Sequence, residues 1–397
     1  MNITFLWRSR SLLVITTLTV ILTLILAACG GATPTTQSST PGRGTGENTT
    51  PIASPGIGLG PQTCPEAVKA PVHWDPIIPT QNGVTKVENV TCGNLIGNPT
   101  LQALVTVRYE GTGAILDMYV YTHITSPSPL QLFKLQNLYK GDAKISVYNT
   151  ILTAEVDQNS SINAGKDNAS LTQDLFREFK WSDSAGTLVP VSFPGIYPDL
   201  TRFQAENDQA LVNQGQTPWK LNATMIANHM ASDPHLLNWP SSSSATLVSG
   251  GGSGDTDATV TVKNPATGGG TIRVSLQRLE GNTNGGIWEV IAVTSDGSSI
   301  TAPQIRDRLT SPVQVAGIGN SFGGSVGTVA VLDHLYMDIG HATAKGVTGN
   351  GNTTFSASVT YNSTFKGGSQ EGIVVLYLEN NAGNAPTAAV MLKELLS

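Results

Sequence analysis

Residues 355 to 361 read Phe-Ser-Ala-Ser-Val-Thr-Tyr, which puts Phe355, Ala357, Val359 and Tyr361 on one face of an extended chain and Ser356, Ser358 and Thr360 on the other. A period of two suits a half-buried strand and no helix. The pattern recurs. Ala103, Val105 and Val107 alternate with Leu104, Thr106 and Arg108, Ala258, Val260 and Val262 alternate with threonines, and Ile272, Val274 and Leu276 alternate with Arg273, Ser275 and Gln277. Clusters such as Gly349-Asn350-Gly351-Asn352 separate these runs and supply turns. The chain is therefore expected to be β-rich and multidomain: an N-terminal all-β domain, a middle α+β domain and a C-terminal β-sandwich.

Charged residues make up only 13% of the 397 and the net charge is -6, so Ser, Thr, Asn and Gly must cover much of the surface. No basic run offers the phosphate neutralisation that nucleic-acid binding needs, and none is expected to bind. The length suits two or three domains once a leader and a linker are set aside.

At the N-terminus Arg8 and Arg10 precede sixteen uncharged residues, Ser11 to Leu26, and the run closes as Leu26-Ala27-Ala28-Cys29 before Gly30. This is the form of a secretory signal. The four closing residues resemble the lipobox of bacterial lipoproteins. That resemblance implies cleavage after residue 28, a diacylglycerol on the Cys29 sulfur and an extracytoplasmic protein held to the cell membrane. The alternative is an uncleaved anchor, because the run is close to the lower limit of roughly 17 residues for a spanning helix.

With Cys29 assigned to lipid, Cys64 and Cys92 are left as a pair. A disulfide between them is expected in an oxidising compartment and would stabilise by about 3.6 kcal/mol in the chain-entropy model.

Residues 29–62 are rich in Gly, Pro, Ser and Thr and read as a disordered tether. From 63 to 195 the pattern is of short strands, among them Ile145–Tyr148 and Phe176–Trp181, with little helix. Here Val90 to Val105 resembles the FG-GAP type of propeller unit, and Trp181–Gly186 resembles a hairpin of such folds. The calcium-binding loop of that family carries aspartates, whereas this one offers Asn94 and Asn98, which argues against calcium. One unit also falls short of the three or more repeats that normally bury a continuous core.

The middle domain, 196–299, opens with two helices. Thr201-Arg202-Phe203-Gln204 has capping-box spacing and Gly215 supplies a stop, while Asn222 caps a second helix that ends before Pro234. About four antiparallel strands come next, an order that resembles the cone-shaped fold of nuclear-transport-factor-like proteins. From 300 to 397 the chain turns all-β, and Ile373–Leu378 is apolar on both faces, as in a central strand.

The sequences Ile287-Trp288-Glu289-Val290, Ser311-Pro312-Val313-Gln314-Val315-Ala316-Gly317 and Phe322-Gly323-Gly324-Ser325-Val326 resemble the bacterial spore-germination immunoglobulin-like domain and its approach segment. The match covers 300–397 well and 200–300 loosely. It implies an immunoglobulin-like sandwich of about seven strands in an exported or lipid-anchored protein, and no catalytic chemistry. Gly323 stands where that family carries an acidic residue.

Two G-x-S-x-G strings, centred on Ser321 and Ser325, could mark an esterase nucleophile. The elbow chemistry needs a helix after the serine, but Thr328-Val329-Ala330-Val331 is strand-like, so a glycine-rich loop between strands is the expected reading. Among the histidines, His334 and His341 flank Asp333 and Asp338; solvated strand-edge residues are expected rather than a metal site. Asp255 and Asp257 supply too few oxygens for calcium. Gly56-x-Gly58-x-Gly60 sits in the tether and is no nucleotide fingerprint.

No catalytic residue, metal or cofactor is therefore expected. The function that fits is a non-enzymatic, lipid-anchored module that binds or holds an envelope partner. The alternative is a carbohydrate-binding module for cell-wall glycans, with Trp74, Trp181 or Trp239 stacking on sugar faces.

Overall fold

Two antiparallel meanders succeed one another through the first half of the chain. The first has the order β1 (Pro61–Gln62), β2 (Thr85–Gly93), β3 (Gln102–Tyr109), β4 (Leu116–Thr122) and β5 (Leu130–Leu138), each strand paired with the next in sequence. The second repeats the plan with β6 (Asp142–Ile145), β7 (Ile151–Glu155), β8 (Leu175–Ser182) and β9 (Thr187–Val191). The computed structural model describes residues 60–78, 84–280, 285–347, 349–378 and 385–397, all within one unit spanning residues 53–397. The expected leader, 1–28, Cys29 and nearly all of the tether lie outside the described residues.

The meanders pack face to face. Leu104, Leu116, Met118 and Val120 of the first meet Ile145, Ile151, Phe179 and Leu188 of the second in one apolar core. The opposite face of the first sheet presents Val87, Ala103, Val105 and Tyr121, which are covered by two single-turn helices, α1 (Glu66–Lys69) and α2 (Pro71–Trp74). The alternation at 103–108 thus carries two dry faces as far as Val107 rather than one dry and one wet. The strand expected at Ile145–Tyr148 stops at Ile145, because the Ser146 hydroxyl accepts from the amides of Tyr148 and Thr150 and closes a turn.

The next two helices start where their caps lie. The Thr201 hydroxyl accepts from the Gln204 amide at the head of α3 (Arg202–Asn213), and Asn222 Oδ1 accepts from the amides of Thr224 and Met225 at the head of α4 (Ala223–Ser232). Ile226, Ala227, Met230 and Ala231 of α4 form a core with apolar residues of β11 (Asp257–Lys263), β12 (Thr271–Gln277) and β13 (Glu289–Ser295), strands that continue outward to β10 (Ser244–Gly250).

The remaining strands are β14 (Ser299–Ala302), β15 (Arg308–Leu309), β16 (Val313–Ser321), β17 (Ser325–Leu332), β18 (Asp338–Gly346), β19 (Gly351–Val359), β20 (Gln370–Leu378) and β21 (Ala388–Leu396). Among the described residues they number eight, one more than the turn spacing suggests. The sheet runs β13-β21-β20-β17-β18-β19-β16-β14, and β18 meets β19 at only two positions, where it folds back on itself. Val315, Phe355, Ala357 and Val359 therefore face Val329, Val331, Val374 and Leu376 across a sandwich core.

Ile373, Val375, Ala389 and Met391 point the other way, into the core under α4. This is why Ile373–Leu378 is apolar on both faces. Strands from both sides of residue 300 share one twelve-stranded sheet, joined at Val293 and Met391. With 46% of the described residues in strands and 11% in helices, the β-rich, multi-sheet reading holds.

Candidate functional site

The cysteine pair is bonded. Cys64 and Cys92 form a disulfide that fastens the segment carrying α1 and α2 to β2, beside the buried Trp74.

Neither serine of the G-x-S-x-G strings sits on an elbow. Ser321 ends β16 and Ser325 begins β17, with Phe322 and Ser325 paired across a tight turn. Gly323 (φ +59°) and Gly324 (φ +90°) make that turn, which explains the glycines without chemistry. The Ser321 hydroxyl donates to Gly349 O at 3.3 Å and is 1% exposed, while the Ser325 hydroxyl lies 3.4 Å from Gly327 O. Neither is hydrogen-bonded to a histidine or carboxylate, as an activated nucleophile would be.

Two of the three tryptophans considered for sugar stacking are in cores. Trp74 donates through Nε1 to Val68 O and Trp239 to Pro386 O, and both are buried. Trp181 is half-buried on β8 with its Nε1 on Asp183. A further tryptophan, Trp219, stacks on His229 with ring centroids 4.6 Å apart.

Asn98 Oδ1 in the loop before β3 accepts from both the amide and the hydroxyl of Thr100. Asp255 caps the Gly252 amide and Asp257 accepts from Thr256 and Gln277, so these carboxylates close a local loop. Among the described residues no three His, Cys, Asp or Glu side chains gather in a way that could hold a metal ion. His341 is exposed, with Asp338 at 2.8 Å. His334 departs from the solvated position expected of it: its imidazole is buried 3.5 Å from the buried carboxylate of Asp174. The two residues are 160 positions apart in sequence, so local spacing gives no sign of the contact.

The main concentration of titratable groups is at the joints between layers, and sequence spacing does not reveal it. On α3, Arg202 Nε donates to Glu178 of β8 at 2.9 Å, and its Nη1 bonds Glu280. Its guanidinium also lies 4.2 Å from the Tyr148 ring centroid. Burial pushes the Glu280 carboxyl up to about 8, against the pull of Arg202. Lys220 pairs with Asp208 of α3 and, at 3.2 Å, with Asp199, and Glu289 of β13 accepts from the Asp199 amide. Burial raises both Asp199 and Glu289, and the neighbouring Asp199 charge raises Glu289 further.

Lys393 of β21 donates to Leu200 O and lies 3.4 Å from Glu371, which also accepts from the Phe193 amide and the Ser192 hydroxyl. Arg177 pairs with Glu155, and Asp157 accepts from the Thr364 hydroxyl at 2.6 Å. These contacts fasten the second meander to α3 and to the sandwich. Such buried pairs add little net stability over an apolar packing, but removing one partner leaves an uncompensated charge, so they fix which surfaces meet.

Several clefts reach solvent, among them one of about 650 Å³ lined by Glu88, Arg108, Lys140 and Asp142. One of about 390 Å³ lies beside α4 and is lined by His235, Asn238, Leu332, Tyr336, Asp338 and Tyr377 among others. Two of its polar groups are engaged: Asp338 pairs with His341, and the Tyr336 hydroxyl donates to Ile196 O at 2.8 Å. No helix among the described residues is long and apolar enough to cross a membrane. Neither a protein-family model nor a curated protein sequence matches the chain.

Proposed function

We propose that this chain is a lipid-anchored extracytoplasmic protein that works as a non-enzymatic binding or structural module at the cell envelope. One observation carries the non-enzymatic part: the main clusters of ionisable groups, around Arg202, Lys220 and Lys393, are buried between layers, where they join the meanders to the sandwich. An enzyme needs such groups at the wall of a cleft that substrate can reach. The anchor rests on the apolar leader and on Leu26-Ala27-Ala28-Cys29, and the disulfide accords with an oxidising compartment. Resemblance of residues 300–397 to the spore-germination immunoglobulin-like domain points the same way.

A fluorophosphonate probe tests the non-enzymatic reading on the purified chain. No labelling is expected. Labelling that disappears in Ser321→Ala or Ser325→Ala would overturn it. An envelope protein is the partner class this reading favours, and retention on purified cell wall, lost in Trp181→Ala, would move the assignment to glycans.

A further inference from the structure

The geometry points to β10 as a pairing edge through which two copies of this chain associate by antiparallel strand addition. An open sheet edge presents unpaired backbone amides and carbonyls, and proteins guard such edges with charge, proline, shortness or irregularity. The described sheets have six ends, and five are guarded by charge, proline or shortness. β1, β6 and β14 are two to four residues long, β6 also carries Asp142 and Lys144, β9 carries Pro190, and β5 carries Lys134 and two register breaks.

β10 is the exception. It is seven residues long, Ser-Ala-Thr-Leu-Val-Ser-Gly, and forms the free end of the twelve-stranded sheet. From Ser241 to Gly254 there is no charged residue and no proline, in a chain whose net charge is -6. Its single irregularity, between Leu247 and Ser249, leaves Leu247 45% and Val248 50% exposed. Beneath it β11 and α4 hold the strand in place, so the edge is preformed.

A second copy is the occupant that this chemistry favours. Two acidic chains repel over most of their surfaces, but along an uncharged edge they meet without opposing like charges. An antiparallel arrangement about Leu247 and Val248 is self-complementary, as a two-fold interface must be. One seven-residue edge from each copy is a small interface beside the roughly 1,200 Å² of stable complexes, so a reversible dimer is expected. The inference does not depend on the lipid anchor.

The test uses the full chain in detergent with Cys29→Ser, adding Leu247→Cys or, as a control of similar exposure, Met225→Cys on α4, where Met225 is 42% exposed. Oxidation is expected to yield a disulfide-linked dimer from Leu247→Cys at least fivefold above the control. Light scattering of the Cys29→Ser chain alone is expected to show mass rising towards a dimer between about 1 and 200 µM. Val248→Lys is expected to abolish that rise with its thermal midpoint unchanged. Equal crosslinking at both positions, a monomer throughout the range, or a Val248→Lys chain that still dimerises would overturn the proposal.

Discussion

His334 Nε2 lies 3.5 Å from Asp174 Oδ2, with both side chains sealed between the second meander and the sandwich. Burial by itself would lower the imidazole pKa, but Asp174, Asp333 and Gln370 outweigh it and hold the group above its ordinary value. A base raised in the folded state contributes stability that is full below its unfolded pKa, near 6.5, and is lost as pH rises through the folded value. Thermal midpoints should therefore fall as pH rises above about 6.5, and His334→Gln should flatten that part of the curve. An unchanged slope in His334→Gln would place the pH dependence elsewhere. Asp174→Asn should move the His334 Cε1–H titration to lower pH by NMR.

Glu394 gives a second pH effect, from a carboxyl with no partner. Its side chain is buried with neither oxygen hydrogen-bonded, and burial, helped by the Asp307 charge, pushes it up to about 9. Between roughly pH 4.3 and 9 the unfolded chain gives up this proton while the folded chain keeps it, so stability falls across that window. Glu394→Gln should match the parent near pH 4 and exceed it by roughly 3–4 kcal/mol at pH 7. Urea melts at the two pH values check this, and equal differences at both would refute it.

Arg202 ties together three stretches of chain that share no local sequence. Replacing it with Met leaves Glu178 and Glu280 buried without their cation and should cost about 3–5 kcal/mol in equilibrium unfolding at pH 7. The loss should change little between pH 7 and pH 5, because Glu280, raised to about 8, is mostly neutral in the folded chain at both. An Arg202→Met chain within about 1 kcal/mol of the parent at pH 7 would show the pair to be dispensable.

The disulfide has a more local role. Opening the Cys64–Cys92 loop, whose ends are 28 positions apart, should lower stability by about 3.6 kcal/mol. Hydrogen exchange should rise first in α1 and α2, which the bond holds over the first sheet. Uniform exchange along the chain after Cys64→Ala/Cys92→Ala would contradict that placement.

Local patterns carried much of this fold. Thr201 and Asn222 mark their helix starts because a cap is a bond between near neighbours, and Phe355 to Val359 alternates because one face of β19 is wet. The two-sided burial of Gln102–Val107 was not legible, since Thr106 reads as polar although it lies in a covered sheet. Nor was the ionic seam. Arg202 meets Glu178 and Glu280 from 24 and 78 positions away, and His334 reaches Asp174 across the joint, so no spacing rule could pair them. Ser321 and Ser325 flank a glycine turn, and the strand that follows them is legible in Thr328–Val331.

The intact mass of the protein purified from its native membrane tests the anchoring most directly. The expected species begins at Cys29, lacks residues 1–28 and carries a diacylglyceryl group, and Cys29→Ser should abolish the acyl mass. A chain that retains Met1 and bears no fatty acid would contradict the envelope assignment.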